Sequence, residues 1–155
     1  MRDGIAEIVT VLKAKAKAAW NLTDADVLIG EERTEKKGAG TKYAAIVWEN
    51  VDAEQYAHFT EYVMRPCYLI YVGPAPAGKK GADAKSAIAD PILDKLSFGN
   101  DIVGDHVNTS YSEDWGEATN LVTIVLEFSF TWHEARTQAL AMSAAGTSGF
   151  SGSAE

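Results

Sequence analysis

The sequence predicts an α+β domain, in which an N-terminal helix and a second helix pack on a mostly antiparallel sheet of four to five strands with a long C-terminal hairpin. Three observations predict this class. Residues 4–20 carry an apolar stripe at helical spacing, residues 122–132 alternate between apolar and polar side chains, and 155 residues is the usual size of one compact domain. We place the domain at residues 1–136 and a Gly-, Ser- and Ala-rich tail at residues 137–155.

The N-terminal part is expected to form a helix, a short strand and a loop. Apolar residues from Ile5 to Trp20 recur every three or four positions, which is typical of a helix with one buried face. Asn21 is expected to end the helix, and a short strand is expected at Val27–Ile29. Residues 31–41 contain two glycines and no apolar periodicity, so we predict an exposed loop there.

The middle of the chain is rich in β-branched and aromatic residues, and it predicts strands. Residues 42–49 are expected to form one of them. Residues 51–64 are ambiguous, because they open like a helix and continue like a strand; we favour a short turn followed by a strand. Arg65-Pro66 is expected to interrupt the chain, with a separate apolar strand at 67–72 that ends at the Gly-Pro-Ala-Pro segment 73–76.

The last part predicts a helix and a hairpin. Residues 79–83 are expected to form a partly basic loop, and residues 84–96 a second helix that Pro91 kinks or restarts. The segments 101–111 and 122–132 are expected to pair as antiparallel strands.

The composition excludes several classes of protein. The apolar run at 67–72 is far shorter than the ~20 residues of a membrane helix, and we expect neither a membrane span nor a signal peptide. One cysteine excludes a disulfide framework and favours a reducing, cytosolic origin. The formal charge is -8, and residues 96–135 contain seven acidic residues and no Lys or Arg. Because a DNA backbone is bound by clustered cations, sequence-specific DNA binding is not expected.

No pattern in the chain indicates catalysis. Phosphate-binding loops, nucleophile elbows and zinc motifs are missing from the sequence. Asp105-His106 and His133-Glu134 are neighbours on predicted strands, so their side chains point to opposite faces and do not form an acid/base couple. A divalent-ion site from Asp101, Asp105 and His106 is chemically conceivable but is not favoured. We therefore predict no enzymatic activity, no cofactor and no metal.

The tryptophans and the cysteine divide into two groups. Trp20 and Trp132 lie on the apolar stripes of their own elements, so we expect them in the core, and Cys67 is expected to fill core space within its apolar strand. Trp48 at a strand end and Trp115 in the acidic connection are the better candidates for contact with a partner protein.

The element order and the C-terminal segment FGNDIVGDHVNTSYSEDWGEATNLVTIVLEFSFTW resemble the tail terminator proteins of long-tailed, lambda-like bacteriophages, over residues 4–134. The resemblance implies a structural virion protein that forms a hexameric ring, caps the tail tube, stops its polymerisation and joins the tail to the head-neck. It implies no membrane and a place at the head-proximal end of the tail, after assembly in the host cytoplasm. DNA would pass through the ring without specific binding. The acidic block would then repel the phosphate backbone, although a solvated surface explains it equally well.

Ring closure requires two different patches that meet between neighbouring copies, which predicts contact segments at 31–40, 78–83 and 137–155. The predicted interface residues are Glu31, Glu32, Arg33, Lys36, Lys37, Trp48, Lys79, Lys80, Trp115 and Phe150. Three alternatives stay open: another head-tail connector such as a head-completion or neck protein, an adaptor in a bacterial secretion or contractile machine, and a small-molecule-binding or enzymatic α+β domain.

Overall fold

A computed structural model describes residues 2–30, 42–76, 79, 81–94, 96–99, 101–114 and 121–136. The elements in chain order are α1 (Arg2–Trp20), a 3-10 turn (Asp24–Asp26), β1 (Val27–Ile29), β2 (Tyr43–Trp48), β3 (Val51–Gln55), β4 (Phe59–Pro74), α2 (Gly81–Leu93), β5 (Val103–Asp114) and β6 (Leu121–Ala135). In this described part, two helices pack with a six-stranded, mostly antiparallel sheet, which confirms the α+β class. The sheet exceeds the predicted four to five strands because β3 also forms.

The sheet is built around two long central strands. Its order is β1-β2-β4-β6-β5, and β3 pairs with β4 off this path. Strand β6 pairs along the whole of β4, so β2 and β3 share the other side of β4, one after the other. The described strand pairs are antiparallel except β1 with β2, which is parallel. The predicted C-terminal hairpin is confirmed as the β5–β6 pair.

Helix α1 forms where the apolar periodicity predicts it. Ile8 and Leu12, one turn apart, have no exposed surface. The helix ends at Asn21, whose φ of 54° is left-handed, and the backbone N–H of Leu22 donates to the Lys17 carbonyl at 3.1 Å. This is the hydrogen bond of a Schellman cap, so the predicted stop at Asn21 is confirmed.

The core lies between the helices and one face of the sheet. Every second residue of β6 is buried there: Val122, Ile124, Leu126, Phe128, Phe130 and Trp132. The Trp20 indole N–H donates to the Ile88 carbonyl of α2 at 2.9 Å, and its ring meets Tyr71 of β4 edge-on at 5.2 Å. Trp20 therefore joins both helices to the sheet.

The prediction that Arg65-Pro66 separates two strands is wrong, because strand β4 runs through this pair. The register shifts between Met64 and Cys67, so the pair forms a bulge inside one continuous strand, with a cis peptide bond between Arg65 and Pro66. A bulge tolerates proline, since the missing N–H is not required by the ladder. The Arg65 N–H donates to the Asn50 carbonyl at 3.2 Å, and the Glu49 N–H donates to the Pro66 carbonyl at 3.3 Å.

Two further boundaries differ from the prediction. Residues 51–55 form the edge strand β3 instead of a turn, although four of its five residues are exposed. Helix α2 begins at Gly81, so residues 81–83 form its first turn instead of a loop. It continues past Pro91 to Leu93, so the proline does not restart it.

Candidate assembly surfaces

The predicted interface residues fall mostly outside the described residues. Glu31, Glu32, Arg33, Lys36, Lys37, Lys80, Trp115 and Phe150 lie there, as do the segments 31–40 and 137–155. Lys79 is exposed just before α2. Trp48 is half-buried opposite Cys67 and packs against the core, so it presents only part of its ring to a partner.

The predicted core positions are confirmed. Trp20 and Trp132 are 4% and 1% exposed, and Cys67 is fully buried. Burial raises the pKa of the Cys67 thiol to about 12. A thiol in this state is almost never a thiolate at neutral pH, and the thiolate is the reactive form.

Two of the histidines contact polar side chains of the sheet. Nε2 of His133 lies 3.1 Å from a carboxylate oxygen of Glu61, directly across the β4–β6 ladder. Sequence reasoning missed this pair, because its members are 72 positions apart. His106 contacts the Thr109 hydroxyl at 2.7 Å, while Asp105 lies on the other face of β5. In the ranges that the structure describes, His, Cys, Asp and Glu form no group of three that could hold a metal ion.

The sheet face opposite the helices forms a candidate surface, and we name it the open face. Nine of its apolar positions are half-buried: Leu28, Tyr43, Val47, Val63, Tyr68, Ile70, Val72, Leu121 and Val125. None of these side chains belongs to the core or packs against it. The alternation of side chains along a strand places them there, since their neighbours in sequence point to the helices. No described helix lies on this face.

The charged side chains of the open face are acidic. At the paired positions of the described strands, this face carries no Lys or Arg. Its acidic side chains are Asp52, Glu54, Glu61, Asp105 and Glu127. Glu127 lies opposite Tyr68 at the centre. Burial raises the pKa of the Tyr68 hydroxyl, and the carboxylates of Glu127 and Glu49 raise it further.

The opposite side of the molecule presents the solvent-facing surface of α1, which we name the outer face of α1. Its exposed residues follow one another at intervals of four: Ala6, Thr10, Ala14 and Ala18. Beside them, the ammonium groups of Lys13 and Lys17 lie 3.2 and 3.0 Å from one Asp24 oxygen. Hydrogen bonds from Lys17 and then Lys13 lower the pKa of Asp24. Two cations share one anion here, so this group keeps a net positive charge.

Strand β5 forms an edge of the sheet. Val103 and Val107 are 60% and 55% exposed on it. The register shifts between His106 and Asn108, so Val107 occupies a bulge. The ammonium of Lys85 lies 3.5 Å from the Thr109 carbonyl. A bulge and a lysine are common devices that prevent an edge from pairing with another strand.

Comparison with known protein families and with curated protein sequences finds no match for this chain. In the described ranges, no helix combines the length and the hydropathy needed to cross a membrane.

Proposed function

We propose that this chain is a structural subunit of a bacteriophage tail, a tail terminator that assembles into a ring of identical copies. The ring caps the tail tube, stops its polymerisation and joins the tail to the head-neck. In this proposal the protein assembles in the host cytoplasm and resides at the head-proximal end of the tail. The resemblance of the C-terminal third supports the identity, and the open face is the observation that carries the assembly role.

The open face has the composition of a contact surface. Half-buried side chains such as Ile70 and Val125 still expose apolar area, and full burial of such a side chain is worth about 1.5–3 kcal/mol relative to full exposure. If a partner covers what remains, each contributes up to about 1 kcal/mol. Contiguous apolar area of this kind on a sheet is typical of an interaction site.

The charge distribution fits a ring through which DNA passes. Asp101 and Asp105 are exposed near the β5 edge, within the stretch that contains no Lys or Arg. Acidic groups facing a channel would repel phosphates and prevent the DNA from adhering. The same features suit another head-tail connector, which therefore remains the alternative.

Electron microscopy of the purified chain, alone and mixed with growing tail tubes of its phage, tests the proposal. The proposal expects closed rings with a central channel, and tubes whose length stops increasing when rings are added. Rings that leave tube growth unchanged would favour the connector alternative. A chain that forms no ring even in the presence of tubes would contradict the assembly role.

A further inference from the structure

We propose that the open face of one copy is covered by the outer face of α1 from the next copy. This inference rests on the proposed function, because it specifies how identical copies meet in the ring. The occupant is therefore a second copy of the chain, and the contact involves two different patches.

Charge complementarity favours this occupant. The open face carries Glu127 at its centre and no Lys or Arg at the paired positions of the described strands, whereas the outer face of α1 carries Lys13 and Lys17. Asp24 balances only one of these two cations. Two open faces brought together would instead oppose carboxylates to carboxylates, which disfavours a symmetric sheet-to-sheet dimer.

The geometry allows the contact to repeat. The helices and the open face lie on opposite sides of the sheet, so a copy that offers its open face to one neighbour leaves its helix face for the next. Such head-to-tail contacts generate rings when the rotation closes. Helix α1 has 19 residues and is therefore about 28 Å long, whereas strands lie about 4.8 Å apart. It is long enough to cross the described sheet.

The small side chains on the outer face of α1 permit a close approach. Thr10 and Ala14 lie beside a groove of about 350 Å³ that Lys13, Lys17 and Ile29 also line. The apolar side chains of Ile70 and Val125 are adjacent across the β4–β6 ladder and would meet this groove at its small residues, Thr10 and Ala14.

Charge-reversal variants of the folded protein test the contact between the open face of one copy and the outer face of α1 of the next. We compare the double variant Lys13→Glu/Lys17→Glu with the variant Glu127→Lys, and measure the mass of each by light scattering across concentrations. Each variant is expected to weaken self-association at least about tenfold, because each places like charges across the contact. An equimolar mixture is expected to recover assembly, since each variant then offers a complementary patch to the other. Asp90→Lys, at an exposed position of α2, is the matched charge control and should assemble normally.

A second variant avoids any effect on the Asp24 ion pairs. Ala14→Gln adds bulk to the outer face of α1 without charge, and Ala82→Gln makes the same change at an exposed position of α2. The inference expects the first to impair assembly and the second to leave it intact. Normal assembly of all the folded variants, or a mixture that fails to recover, would overturn this inference while leaving the proposed function in place. A wild-type chain that never self-associates would overturn both.

Discussion

Gly4→Ala gives the sharpest test of how α1 packs on the sheet. A Cβ atom at Gly4 would lie 2.1 Å from Nε1 and 2.2 Å from Cε2 of Trp132. Such distances are far below van der Waals contact, so the indole must move. Trp132 is 1% exposed and its indole N–H donates to Glu134 at 3.0 Å, so the movement disturbs both packing and a hydrogen bond.

The expected change in the free energy of unfolding of Gly4→Ala follows from two opposing effects. Overpacking of a core costs about 1–3 kcal/mol, and three ring atoms closer than 3 Å place this site at the upper end. Alanine is a better helix former than glycine by up to about 1 kcal/mol, which offsets part of the cost. We therefore expect the free energy of unfolding to fall by about 2 kcal/mol.

Urea unfolding at fixed protein concentration, followed by tryptophan fluorescence, measures this change. Ala6→Gly, at an exposed position half a turn away, is the matched control and is expected to cost only about 0.5–1 kcal/mol through helix propensity. A Gly4→Ala variant as stable as the wild type would refute the described packing of α1 on Trp132.

Three further predictions concern single side chains. Cys67, with a pKa raised to about 12, should resist thiol reagents at pH 8 in the native protein and react after unfolding; rapid native labelling would contradict its burial. Lys17 lowers the pKa of Asp24 in the folded state. The ion pair therefore stabilises the protein at pH values above the pKa of aspartate in the unfolded chain, and this stabilisation is lost as the pH falls through the lowered pKa of Asp24 in the folded chain. The stability deficit of Asp24→Asn should therefore be present at pH 6 and shrink below about pH 4 in urea titrations, whereas a pH-independent deficit would exclude this account. Trp20→Phe removes the hydrogen bond to Ile88 and buried volume, so unfolding should become easier by about 1–3 kcal/mol; an unchanged thermal midpoint would show that this bond contributes little.

The elements that the sequence predicts best are those whose own pattern determines their burial. Strand β6 alternates from Leu121 to Trp132, and every second residue of this stretch, from Val122 to Trp132, is buried in the core. Helix α1 and its stop at Asn21 follow from spacing and from a residue type that tolerates positive φ.

The sequence predicts less well those elements that depend on contacts between residues far apart in the chain. Strand β3 is mostly polar and exposed, so only its pairing with β4 makes it a strand. Pro66 reads as an interruption, yet the bulge and the Glu49 and Arg65 hydrogen bonds hold it within β4.

The sequence likewise predicts only part of the candidate surfaces. The acidic character of residues 96–135 is visible in the sequence. The open face is not, because it combines alternate residues from separate strands whose register and partner helices must be known. Glu127 and Lys17 become parts of two opposite surfaces only once the sheet places them.

Light scattering of the wild-type chain across concentrations tests the central claim, that this protein acts by assembling with copies of itself. The account predicts a discrete species near 100 kDa, which corresponds to about six chains of 16.7 kDa. A mass of one chain at every concentration, with and without tail tubes, would contradict it.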